Sequence, residues 1–121
     1  DQLSLLNVGL TTKIAQSLGS NTVFISASDL NVSGSKADLL LDISKTLGAT
    51  TYVSPLVSRV YLDEYSGFSD SGISLEYQSF NHPTYPQGQD SFISHLSVMD
   101  AICNTNLDAT RDLIHEGGNL E

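Results

Sequence analysis

Short β-branched and aromatic runs alternate with helical stretches along this chain, and that alternation restricts its possible folds more than any other feature. Residues 22–26 (Thr-Val-Phe-Ile-Ser) are predicted as a buried strand, 50–54 as a second and 73–80 as a third. In the third, Ile73, Leu75, Tyr77 and Ser79 alternate with Ser74, Glu76 and Gln78. One face is therefore expected to be exposed, with the strand toward a sheet edge.

Helical spacing fills the intervals. Leu3, Leu6, Leu10, Ile14 and Leu18 predict a first helix stopped by Gly19. Ser35 and Asp38 open a second, whose apolar face is Leu39, Leu40, Ile43 and Leu47 and whose stop is Gly48. Residues 57–65 are predicted as a short helix and 67–72 as loop. A longer helix over 92–103 is expected to bury Phe92, Leu96, Met99 and Cys103. A last one, over 108–115, is capped by Asp108 and ended by Gly117-Gly118. Strand and helix in this order imply right-handed βαβ units. The expectation is a single α/β domain over residues 1–121, three-layered, with a mainly parallel sheet between flanking helices. Three strands make a small sheet, so the chain is expected to be half of a larger doubly wound domain.

Charge and cysteine usage narrow the partners. Five Lys and Arg against fourteen Asp and Glu give a net charge of −9. Such a surface repels phosphate backbones and anionic lipid, so neither nucleic acid nor membrane is an expected partner. No run reaches the ~20 apolar residues of a membrane span. The single cysteine, Cys103, excludes a disulfide within one chain and fits a reducing cytoplasm; its apolar setting predicts core packing. The chain begins with Asp1 rather than Met and lacks a signal-peptide pattern, so a processed protein or a piece of a longer one is expected.

In a parallel sheet, ligands bind along the edge where the strands' carboxyl ends lie. The loops leaving that edge carry Ser28, Asp29, Lys36, Arg59, His82, Tyr85 and Gln87 as candidate site residues. His82 is the one histidine in such a loop, and an imidazole suits proton transfer near neutral pH. Its other reading is structural, since a histidine before proline in a turn often bonds backbone carbonyls. Tyr85, held between Pro83 and Pro86, either stacks on a ligand or plugs the core. Ser97, Asp100 and Asn104 form a polar stripe on the following helix, which either faces water or ties down the loop from behind. No spacing suits a metal, so none is expected. No Gly-rich phosphate loop or dinucleotide fingerprint identifies a cofactor, and no Gly-x-Ser-x-Gly elbow marks a serine nucleophile.

Taken together, these residues resemble the WbqC-like family of bacterial proteins. The likeness runs through Ser26-Ala27-Ser28-Asp29-Leu30, the run at 47–54, Tyr61-Leu62-Asp63 and the third strand. It is sharpest at His82-Pro83, Tyr85-Pro86-Gln87, Phe92-Ile93, Leu96-Ser97, Asp100 and Asn104. Two departures are Pro55 and Thr105-Asn106, where the family tends to carry glycine. The resemblance implies a cytoplasmic protein tied to O-antigen, lipopolysaccharide or other surface-polysaccharide synthesis. A transferase acting on a nucleotide-activated amino sugar fits that setting, as does a non-catalytic binding or assembly module. Family members being usually about twice as long, the chain resembles a C-terminal half, with the missing N-terminal half or a second copy as partner.

Overall fold

The computed structural model describes residues 2–120. In order along the chain, the helices are α1 (Gln2–Ser17), α2 (Lys36–Thr46), α3 (Arg59–Leu62), α4 (Gly67–Asp70), α5 (Val98–Asn104) and α6 (Leu107–Gly117). The strands are β1 (Thr51–Pro55), β2 (Ser74–Phe80) and β3 (Gly118–Leu120). The architecture is a mixture of helices and one small sheet ordered β1-β2-β3. Two compact units divide it: residues 1–24 with 81–118, and residues 25–80 with 119–121.

The 25–80 unit holds the parallel pair. β1 and β2 run side by side with Thr51 opposite Ser74 and Ser54 opposite Tyr77. The segment joining them is long enough for the crossover that parallel strands require. β2 lies between β1 and β3, so it is central rather than at an edge. Its period-two pattern is present, Tyr77 buried and Ser74 and Gln78 exposed. The core gathers Leu41, Leu62, Phe68, Ile73 and Tyr77. Phe68 stacks on Tyr52 with ring centroids 5.0 Å apart and meets the edge of Tyr65 at 6.0 Å. Gly67 makes the Tyr65 contact possible, because a Cβ there would stand 2.5 Å from that ring.

Several expected elements differ. Residues 22–26 form no strand: Val23, Phe24 and Ile25 are exposed and pair with nothing in the sheet, and β-propensity without a neighbouring ladder does not make one. The sheet is thus smaller than a three-layer parallel architecture requires. The 57–65 helix is a 3₁₀ turn over Leu56–Ser58 followed by α3. The 67–72 loop contains α4, where the Ser66 hydroxyl bonds Asp70 at 2.8 Å. On α2 the buried positions are Leu41 and Ser44, one residue beyond the expected stripe, and Ser35 caps the helix without a side-chain bond.

Tyr77 links this core to the surface. Its hydroxyl donates to Asp63 at 2.6 Å, and the Arg59 guanidinium lies 4.6 Å above its ring. Burial, and then the bond to Asp63, push its phenol up to about 12. A raised phenol favours the neutral ring in the fold, so this stabilisation is complete below the ordinary value near 10. It is lost as pH climbs toward 12. Stability, measured by unfolding at increasing alkalinity, is expected to fall across that window in the wild type, and less steeply in Tyr77→Phe.

In the other unit α1 ends where Gly19 takes φ +86°, and the Ser20 amide returns to the Ala15 carbonyl at 2.9 Å. Arg111 of α6 donates to the Leu18 carbonyl at 2.9 Å and pairs with Asp108 at 3.0 Å. Asn106, rather than Asp108, caps α6 by accepting the Ala109 amide at 2.9 Å.

Candidate functional site

The segment from Asn81 to Ser97 is the longest irregular stretch among the described residues, and its own side chains fold it. Gln87 does most of this. Its amide oxygen accepts the Ile93 N–H at 2.8 Å while its amide nitrogen donates to the Ile93 carbonyl at 2.9 Å. That paired contact removes Ile93 from any helical ladder. His95 follows in the left-handed region at φ +62°, and Ser97 accepts the Met99 N–H at 3.2 Å as the cap of α5. The helix expected from residue 92 therefore begins at Val98. Consequently Leu96 and Met99 are substantially exposed, Cys103 is exposed and Ala101 is the buried residue of α5.

Asp100 anchors the loop to that helix. Its Oδ2 accepts the Tyr85 hydroxyl at 2.8 Å and the Gln87 amide at 3.2 Å. Asn104, one turn on, donates to the Asp100 carboxylate at 3.1 Å and to its carbonyl at 3.0 Å. Tyr85 is buried. Desolvation first, then the bond to Asp100, raise its phenol, while the Gln87 amide pulls it back. Its ring meets Phe92 edge-on with centroids 5.3 Å apart. Tyr85 thus takes the core position, with its polar tip satisfied by an acid that a sequence stripe had placed three residues after Ser97.

His82 packs over the outside of this assembly, 5.8 Å from the Phe92 ring, 6.4 Å from Tyr85 and 5.3 Å from His95. Its Nδ1 lies 3.1 Å from the Pro83 carbonyl oxygen. A carbonyl only accepts, so Nδ1 carries the hydrogen and the lone pair of the neutral ring sits on Nε2. His95 belongs to this cluster although the sequence did not single it out; its Nδ1 contacts the Ser94 hydroxyl at 2.8 Å. Placed on a regular helix it reads as solvent-facing, and only the left-handed kink brings it to His82.

The structure thus joins His82, Tyr85, Gln87, Asp100 and Asn104 in one connected arrangement, with Ser97 capping the helix beneath. Ser28, Asp29, Lys36 and Arg59 belong to the 25–80 unit. There Ser28 shares a 2.7 Å hydroxyl contact with Ser26 in a 3₁₀ turn that ends at the exposed Asp29. Lys36 is exposed at φ +52° at the start of α2, and Arg59 covers Tyr77. A cleft of about 600 Å³ in this unit lies by the amino end of β2, lined by Asp63, Glu64, Tyr65, Ser66 and neighbours. None of the sequence-selected residues lines it. Among the described residues no three metal-binding side chains come together, and no helix is long and apolar enough to cross a membrane.

Comparison with known proteins adds a family. The WbqC-like protein family matches residues 1–112, nearly the whole chain. An uncharacterized protein of Mycobacterium tuberculosis, Rv1507c, is 29% identical over 108 residues, which cover 88% of this chain and 46% of that protein. The chain spans about half the length of this curated relative. No solved structure matches it.

Proposed function

Because the chain belongs to the WbqC-like protein family, we propose that it forms part of a transferase modifying a nucleotide-activated sugar for bacterial surface-polysaccharide assembly. The observation that carries this reading is the bond between His82 Nδ1 and the Pro83 carbonyl. In the neutral ring, a hydrogen donated from Nδ1 to that carbonyl puts the lone pair on Nε2, the arrangement a general base uses to take a proton from an attacking hydroxyl or amine. Asp100 supports the reading from behind, since its bonds to Tyr85 and Gln87 hold the loop that presents the imidazole. Gln87 is assigned to the substrate side of that loop, and Tyr85, buried with its hydroxyl on Asp100, to its support. The proposal includes a cytoplasmic setting and a larger doubly wound α/β domain of which this chain is one half.

His82→Asn and His82→Ala, assayed with nucleotide sugars, separate chemistry from support. Asparagine can still donate to the Pro83 carbonyl but has no basic nitrogen. Both variants are expected to lose turnover by about 10²–10⁴-fold with unchanged melting, the range for a general base. Turnover that survives in His82→Asn removes the assignment.

A second reading is a non-catalytic binding or assembly module. The packing of the His82 ring among Tyr85, Phe92 and His95 favours it, because a ring so placed also serves simply to hold the turn. Titration with nucleotide sugars accompanied by product analysis distinguishes the two: binding without product supports the module.

A further inference from the structure

Phe92 is the ring through which the buried anchor of the 81–97 segment meets the imidazole of His82. Tyr85 is buried, with its hydroxyl on Asp100 of α5 at 2.8 Å. Phe92 meets the Tyr85 ring edge-on, with centroids 5.3 Å apart and planes at 83°. It also meets the His82 ring, with centroids 5.8 Å apart and planes tilted by 55°. Both separations fall within the range of about 4.5–7 Å over which aromatic pairs attract. The direct approach of His82 to Tyr85 is longer, at 6.4 Å.

Backbone chemistry puts Phe92 in this place. The Gln87 amide takes both the N–H and the carbonyl of Ile93, at 2.8 and 2.9 Å, and α5 starts only at Val98. A helix running from residue 92 would line Phe92 up with Leu96 and Met99 instead. Outside that helix the half-buried Phe92 ring packs against Tyr85 and His82. The contact of His82 Nδ1 with the Pro83 carbonyl sets a pivot for the imidazole. Packing against the ring then sets the direction in which Nε2 points.

We infer that Phe92 is a positioning residue for His82, carrying the Asp100–Tyr85 anchor to the imidazole and aiming its Nε2. That role rests on His82 acting as the base, and Phe92 works through His82 rather than on substrate.

Phe92→Leu keeps an apolar side chain but loses the flat ring, whereas Phe92→Tyr keeps the ring. In the wild type, proton NMR is expected to show cross-relaxation between the His82 and Phe92 rings. The ring-current shifts of the His82 C–H protons are expected to collapse in Phe92→Leu and to persist in Phe92→Tyr. In the nucleotide-sugar assay, Phe92→Leu is expected to lower kcat by about 10–10²-fold with KM little changed, the cost of misplacing a reacting group. Phe92→Tyr is expected to restore most of that loss.

A folded Phe92→Leu with wild-type kcat, alongside an inactive His82→Asn, overturns the positioning role and leaves the base standing. A wild-type spectrum without the contact between the two rings also overturns it, and that measurement needs no variant to fold. Turnover that survives in His82→Asn removes the base and the positioning role together, so the two failures are told apart by different variants.

Discussion

Phe68→Ala is expected to destabilise the 25–80 unit by roughly 3–5 kcal/mol, the range for deleting a buried phenylalanine. Phe68 is 1% exposed and is the largest fully buried side chain among the described residues. It touches both aromatic neighbours, stacked on Tyr52 and edge-on to Tyr65, so alanine removes two ring contacts along with the buried area. The core around it is small, with Leu41, Leu62, Ile73 and Tyr77 as its other buried members. Few side chains can therefore collapse into the space, and the cost belongs at the upper end. Against a typical domain stability of about 5–15 kcal/mol, that leaves the unit near its unfolding threshold. Urea unfolding followed by tyrosine fluorescence measures it. Val60→Ala, at a site 82% exposed, is the comparison and is expected to stay within about 0.5 kcal/mol of wild type. Similar midpoints for the two variants would mean that the ring does not organise this core.

That Phe68 dominates was not legible from its neighbourhood in sequence. Gly67, Ser69, Asp70, Ser71 and Gly72 read as loop, yet the Ser66–Asp70 bond, the close approach of Tyr65 to Gly67 and the backbone bonds from Asp70 and Ser71 close a short helix there with Phe68 buried. Elements built on local periodicity were easier. α1 and α2 carry long apolar repeats and end at Gly19 and Gly48, both at positive φ. The parallel direction of β1 and β2 follows from the length of their connection. The failures share a cause, because each depended on a partner remote in sequence. Residues 22–26 have strand composition, and composition supplies no ladder. Residues 92–97 have helical composition, but the Gln87 amide takes the backbone of Ile93 from six residues away. At the candidate site, residue types and order were enough to choose His82, Tyr85, Gln87, Asp100 and Asn104. The bonds joining them, and the inclusion of His95, required the loop's actual path.

Asp100→Ala is expected to release that path, raising amide exchange across residues 81–97 by about tenfold or more while leaving β1 and β2 as protected as before. One carboxylate accepts from Tyr85, Gln87 and Asn104; alanine leaves Gln87 its bond to the Ile93 carbonyl and Asn104 its bond to the backbone carbonyl of residue 100, but takes the acceptor from Tyr85. For Tyr85 this is the severest change, since its hydroxyl is brought to a buried position with that acid as its acceptor. Asn104→Ala, which removes a donor and keeps the carboxylate, is expected to do much less. Asp100→Asn has nearly the same shape and can still accept through its amide oxygen, so it is expected to fall between the two. Tyr85→Phe gives the complementary view, keeping the ring against Phe92 and deleting the bond. If Asp100→Ala and Tyr85→Phe together loosen the loop no more than Asp100→Ala does alone, the phenol and the carboxylate act as one unit. If Asp100→Ala leaves exchange over 81–97 unaltered, then Gln87 and the two prolines hold the loop without it, and the acid has no part in presenting His82.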